Sequence, residues 1–434
     1  MGVCRSIARQ DSFCTLAEPM PKPNAASRSK PWRQLLGNTQ FCWLLAGNVA
    51  MFFGFSATLL LRSLLAWKIT GDEMALAYIN LVAAICMFVT SIFSGAIIDR
   101  VERRKLMIYA QGILLFGEGS ILFLLIIDKL TFGFLLFSAF AVSSTFPFIM
   151  PARTAMIVES VGRLSFGKAS AMMAGGINIA RMVSPAVVGL IADGAGISYG
   201  YGFLVALHVI ALWCTVNLTQ SFPVQDSERG AFLSEIREGF VYIFNNRPLA
   251  LCILFGMLPI LIVVPFQNLM VVFVEELWGQ GGSGLGIMLA AMGVGGLLGS
   301  FFMAFIKDGS LMKPMIFATI AMGICLILLA HSPWFWLAVI IMFGIYSSSV
   351  LTQTLVHTSV QLMADDKYRG RITTMTLMTF GMAPVGTIPL AYATKHFGPA
   401  MALTIFAILL LICVALIWLL LPSFRKIDEK SRVS

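Results

Sequence analysis

The chain has 434 residues, of which 58% are hydrophobic and 12% charged, with a formal net charge of +9. Its mean hydropathy is +0.88. A soluble fold of this size leaves much of its surface in water and carries about 25% charged residues. The composition therefore excludes a disordered chain, a collagen-like chain and a soluble enzyme, and leaves a multi-pass helical membrane protein.

The first 38 residues are polar and contain no early apolar run, so no cleaved signal peptide is expected. A helix crosses the hydrocarbon core with about 20 residues. Apolar runs separated by turn and charge clusters predict twelve such helices, at 39–67, 74–98, 105–127, 131–153, 168–192, 197–218, 248–274, 284–306, 313–331, 334–358, 371–394 and 398–421. The runs do not alternate, which excludes a β-barrel. The longest connection, 219–247, divides the chain into bundles at 39–218 and 248–422, with tails at 1–38 and 423–434. Within that linker Phe232, Leu233, Ile236, Phe240, Ile243 and Phe244 recur at helical spacing. They predict an amphipathic helix lying on the membrane surface.

Orientation follows from lysine and arginine. With the N-terminus in the cytoplasm, most of the 30 basic residues fall on inner segments. These include Arg100, Arg103, Arg104 and Lys105 after span 2, Arg153, Arg163 and Lys168 after span 4, and Lys367, Arg369 and Arg371 after span 10. Both termini are then cytoplasmic and the protein sits in the cell's inner membrane. The charge of +9 becomes a topology signal, and no nucleic-acid partner is expected. The eight cysteines form no CxxC pair and lie mostly in apolar runs, so neither a disulfide framework nor a metal site is expected.

The two halves resemble each other. Phe166-Gly167-Lys168 opens a Met-rich helix containing Pro185 and Gly189. Arg369-Gly370-Arg371 opens another containing Pro384, Gly386 and Pro389. Repeats of six spans in the same orientation characterise one large transporter class. The sharpest motif lies between spans 2 and 3, where Gly95, Asp99 and Arg100 precede Arg103, Arg104 and Lys105. A positive-inside loop explains the basic residues but not Gly95 and Asp99.

This loop is similar to the signature motif of the major facilitator superfamily, with Glu102 standing where a second glycine is expected. The segments 151–189 and 365–371 resemble the twelve-span branch that contains the enterobactin exporter and macrolide efflux proteins. The resemblance covers about 35–422. It implies an all-α membrane protein with twelve transmembrane helices in two pseudo-symmetric six-helix bundles, the major facilitator fold. It further implies that the loop, with Arg369, Gly370 and Arg371, locks the halves together in the outward-facing state. Span 5, from Gly176 through Pro185 to Gly189, is similar in part to the exporters' antiporter motif. A packing kink and an export device are both open readings there.

Ionisable groups at bilayer depth are costly and mark candidate sites. Arg181 near the middle of span 5 is the strongest, as an anion binder or an interhelical tether. Glu118 is the one carboxylate deep in an apolar run and is a candidate proton carrier, although the resemblance places span 3 at the periphery. Arg62 either snorkels to the headgroups or faces the cavity. By resemblance, spans 1, 4, 7 and 10 line the central path. They offer Asn48, Phe52, Phe146, Gln267, Asn268, Tyr346 and Gln353, with Phe53, Phe148 and His357 nearby. Apolar walls with a few amides suit a bulky amphipathic molecule, and Pro259 and Pro265 bend span 7. The glycines at 293–299 read as helix packing. No nucleotide-binding or catalytic motif is found, so the expectation is a secondary transporter without cofactor. It would be monomeric in the bilayer, driven by an ion gradient, most simply H+, and would export a small amphipathic molecule. A metabolite importer and a non-transporting sensor or assembly factor are the alternatives.

Overall fold

The computed structural model describes residues 35–98, 100–221, 241–303, 305–306, 311–363 and 379–420. The described chain is helical throughout. In the first half the helices are α1 (Thr39–Thr70), α2 (Glu73–Ile98), α3 (Arg103–Ile126), α4 (Phe132–Gly162), α5 (Ser165–Gly194) and α6 (Ile197–Val216). In the second half they are α7 (Arg247–Asn268), α8 (Met270–Trp278), α9 (Gly282–Met303), α10 (Met312–Ala330), α11 (Phe335–Met363), α12 (Ala383–Phe397) and α13 (Pro399–Leu420). Eleven spans are long and apolar enough to cross a membrane among the described residues. The shorter α12, entered through a 3-10 turn at Thr379–Met382, occupies the place of the remaining one.

The helix ends have local causes. Asn38 Oδ1 accepts from the amides of Gln40 and Phe41 at 3.0 and 3.2 Å and opens α1. Gly71, at φ 57°, closes it by donating its amide to the Trp67 carbonyl. Two boundaries differ from the sequence reading. Span 4 was expected to end at Arg153 but runs on to Gly162, whose φ of 74° stops the helix. Span 7 was expected to be continuous but breaks at Asn268–Leu269, just beyond Pro265.

Large apolar side chains such as Phe116, Trp213 and Phe317 point outwards, as a hydrocarbon solvent permits. The helices bury small residues against each other. The face carrying Arg100, Arg103 and Arg104 is called the basic face below, and the opposite one the far face. Asp99, the segment 364–378 with Arg369, Gly370 and Arg371, the linker residues 222–240, residues 1–34 and residues 421–434 lie outside the described residues. Of the signature loop, Gly95 sits in the last turns of α2.

Candidate functional site

The two halves meet along α5 and α9. On α9, Gly282, Gly286 and Gly293 form a stripe at helical spacing facing α5. A Cβ on Gly286 would overlap the Pro185 carbonyl, and one on Gly189 the Gly282 carbonyl. One on Gly293 would stand 2.9 Å from the Met182 Cα. Pro185 and Gly189 therefore lie at a backbone-to-backbone contact between the halves. Ser184, which stands where the exporter motif has glycine, donates to the Phe53 carbonyl at 2.6 Å and ties α5 to α1. A second α9 stripe, Gly295 and Gly299, lies against the backbone of α11 at Phe343 and Ser347. One helix thus joins its own half and the opposite half through glycine.

Two polar latches reinforce the contact at the far face. Asp193, at the end of α5, accepts from the amides of Gly282 and Ser283 at 2.8 and 2.7 Å. It caps α9 from across the interface, where the helix's free amides favour an anion. The second latch is Lys395 Nζ on Asp72 Oδ1 at 3.0 Å, joining α12 to the α1–α2 turn. Partial burial pushes the Asp72 carboxyl up, but hydrogen bonds from Lys395 and the Met74 amide, with the lysine charge, outweigh it and hold it below its ordinary value. The pair's contribution is present above the ordinary carboxylate pKa and lost as pH falls through the lowered one.

On α5, Ala174, Gly175, Asn178, Ile179 and Arg181 are exposed. Among the described residues, the α5–α9 contact and the two latches hold the halves together at the far face, while this basic-face part of α5 is exposed. Asp193→Ala removes the cap, worth about 0.5–2 kcal/mol by analogy with ordinary N-caps. Pulsed electron-spin distances across the far mouth should then show the open population rise by roughly 2- to 30-fold.

The mid-membrane charges fall into three groups. Arg62 and Glu118 form a buried pair, with Arg62 Nη2 donating to Glu118 Oε1 at 2.6 Å. Thr58 donates to the same oxygen at 3.3 Å, and Arg62 also donates to Ser138 Oγ at 3.1 Å. Glu118 is fully buried, and Oε2 has no partner among the described residues. Of the two readings for Arg62, the structure has it facing inward at the cavity, and Glu118 turns into the bundle from α3 to meet it. The pair sits inside the first bundle, and Arg62 also forms part of a wall between the halves. That wall encloses a cavity of about 140 Å³ near the far face, lined by Phe55, Thr58, Arg62, Asn80, Gln267 and Asn268 among others. It is smaller than the roughly 300–1,000 Å³ of a drug-sized site, so it is the closed end of a path. Asn268 also donates to Thr387 at 3.4 Å, linking α7 to α12.

The second group is Arg153, expected in a loop. It is buried in α4 and donates from Nη1 to Asn48 Oδ1 at 2.9 Å, while Asn48 Nδ2 donates to the Met173 carbonyl at 3.4 Å. Asn48 is thus the tether of an arginine inside the bundle. The third group is Arg181, whose guanidinium carbon lies 5.9 Å from the centre of the Phe52 ring. Phe52 meets Phe146 edge to face at 6.3 Å, and Phe55 packs on Phe146 at 5.7 Å. Arg181 has no ion pair among the described residues and lies over Phe52, which is buried, while Phe55 is exposed and Phe146 half-buried beside it.

Three other expected path residues lie outside the far-face cavity. The Cβ of Tyr346 stands 3.0 Å from where a Gly295 Cβ would be, at the α9–α11 contact, and Tyr346 does not line the cavity. Gln353 is half-buried on α11 and His357 exposed; neither borders the cavity beside Gln267. In the basic loop, Arg103 pairs with Glu159 of α4, and Arg104 Nη2 donates to the Val216 carbonyl of α6 at 2.6 Å. Both bonds stay within the first half, and Arg100 is exposed. Among the described residues no acidic, histidine and cysteine cluster could hold a metal.

Solved structures share this arrangement. The nucleoside transporter NupG superposes with a TM-score of 0.72 at 13% identity, covering 86% of this chain and 98% of that one. A bacterial homolog of the human lysosomal transporter Spinster, solved inward-facing and unoccupied, gives 0.68 at 14% identity, covering 92% and 99%. The D-xylose-proton symporter gives 0.68 at 11% identity, covering 88% and 98%. At these identities the likeness shows the fold, that of major facilitator transporters. No curated protein matches the sequence. Residues 30–434 match the family described as "transmembrane secretion effector". The chain is thus a multi-pass membrane transporter of the major facilitator type, and it belongs to the transmembrane secretion effector family.

Proposed function

We propose that this transporter is a proton antiporter that exports a small amphipathic molecule, siderophore- or drug-like, from the cytoplasm by alternating access. The observation that carries the reading is the exposed Arg181 beside Phe52, Phe146 and Phe55, on the basic-face part of an α5 whose far end is held against α9. With the basic face cytoplasmic, as the positive-inside rule assigns it, this is the inward-open state. An aromatic part of the cargo lies on Phe55 and Phe146, and a carbonyl, phenolate or carboxylate accepts from the guanidinium. No covalent chemistry is needed.

A proton gradient supplies the energy, and Glu118 carries the proton. Its free Oε2 is where that proton resides, and Arg62 links it to the cavity beneath the far face. Parting α5 from α9 wets Arg62 first. Protonation then weakens the pair, and its recovery on the cytoplasmic side returns the proton inwards.

Everted membrane vesicles with an acid interior test this directly. A catecholate siderophore or a macrolide should accumulate with the wild type, and Arg181→Ala should reduce uptake by roughly 10- to 150-fold, the loss of a charge-assisted hydrogen bond worth about 1.5–3 kcal/mol. Failure of every candidate of either class to accumulate, with the protein folded, counts against the export reading.

A further inference from the structure

The outer wall of the second half carries a groove unrelated to the transport path. Helices α10 and α13 touch where a Cβ on Gly323 would stand 2.7 Å from Leu411 Cδ2. From there they diverge towards the basic face, leaving an apolar groove of about 580 Å³. Its walls are Ile316, Phe317 and Ile320 on α10 and Val414, Ala415 and Trp418 on α13, and Lys313 stands at its mouth. Lys313 is exposed and has no ion pair among the described residues.

We propose that this groove binds one anionic glycerophospholipid from the leaflet on the basic face. The depth fits. Lys313 to Ile320 spans about 10 Å and Leu411 to Leu419 about 12 Å along their axes, close to one leaflet of a hydrocarbon core about 30 Å thick. One acyl chain therefore lies along the groove and ends where Gly323 meets Leu411. The charge fits as well. Among the described lining residues the one cation, Lys313, is at the headgroup end, where a lysine ammonium reaches the phosphate, and Trp418 lies at the depth where indoles favour the interface. Ala415 leaves the floor open for the chain. A transmembrane helix of a second copy is a poorer occupant, because a cleft that narrows to closure at Gly323 admits a chain and not a cylinder about 10 Å across.

Native mass spectrometry of the full-length protein tests the assignment, with phosphatidylglycerol and phosphatidylcholine of identical acyl chains titrated into mild detergent. The wild type should retain one phosphatidylglycerol, several-fold in preference to phosphatidylcholine. Lys313→Gln should remove the preference while leaving chain binding. Ala415→Phe should remove both, with an unchanged melting temperature showing that the fold persists. The proposal is overturned if Ala415→Phe keeps wild-type occupancy, if Lys313→Gln keeps the headgroup preference, or if dimer masses appear in place of bound lipid. None of these outcomes depends on the direction of transport.

Discussion

Gly189→Val should hold the far mouth open and abolish transport. The valine Cβ would overlap the Gly282 carbonyl where α5 crosses α9. Backbone cannot move aside as a flexible side chain can. Overpacking of this kind costs about 1–3 kcal/mol. The contact exists only when the far face is closed, so the cost falls on one state and converts to a population shift. That shift is roughly 5- to 150-fold towards the far-open state. Gly286→Val should behave alike, since its Cβ would meet the Pro185 carbonyl. Labelling of single cysteines at the two mouths measures the shift. Protection of the far mouth at the wild-type level in both variants would contradict the assignment of this interface as the gate.

Arg62→Ala should be the most destabilising single change in the first bundle. It leaves Glu118 fully buried with only Thr58 as a donor. Removing one partner of a buried pair costs about 3–5 kcal/mol, because an uncompensated charge remains. Replacing both partners, Arg62→Met with Glu118→Leu, should recover most of the loss, since apolar side chains of similar volume need no partner. Thermal unfolding in detergent separates the cases. The double variant should remain folded and lose proton coupling. A single Arg62→Ala variant as stable as the wild type would show that the pair contributes no stability.

Much of the architecture was readable because the bilayer forces it. Each span must be long and apolar, and each basic loop marks a face, so the helices and the division into halves follow from composition along the chain. Pro185 and Gly189 were legible as a close-packing signal, but nothing in a single helix names the surface it meets. The glycine stripe at 282, 286 and 293 was the matching signal, and it lies nearly one hundred residues away. Arg62 and Glu118 each stood out, yet their pairing depends on how α1 and α3 rotate against each other. Arg153 was misplaced for a physical reason. Pro151 and Arg153 resemble the polar end of a span, whereas the helix stops only at Gly162, where the backbone takes a left-handed turn. An arginine with a buried amide partner is indistinguishable in sequence from one in a loop. Tyr346 is on a path-lining helix by resemblance, but which of its neighbours it meets, Gly295 of α9, is set by helix rotation that a single sequence does not show.

The central claim is that cargo leaves in exchange for protons carried by Glu118. Proteoliposomes enclosing a pH-sensitive dye, oriented with the basic face outward, test it when a transported siderophore or macrolide is added outside. The account predicts that cargo entry drives protons out of the lumen, and that Glu118→Gln exchanges cargo across the membrane without moving protons. Protons entering together with the cargo, or wild-type proton movement in the Glu118→Gln variant, would contradict it.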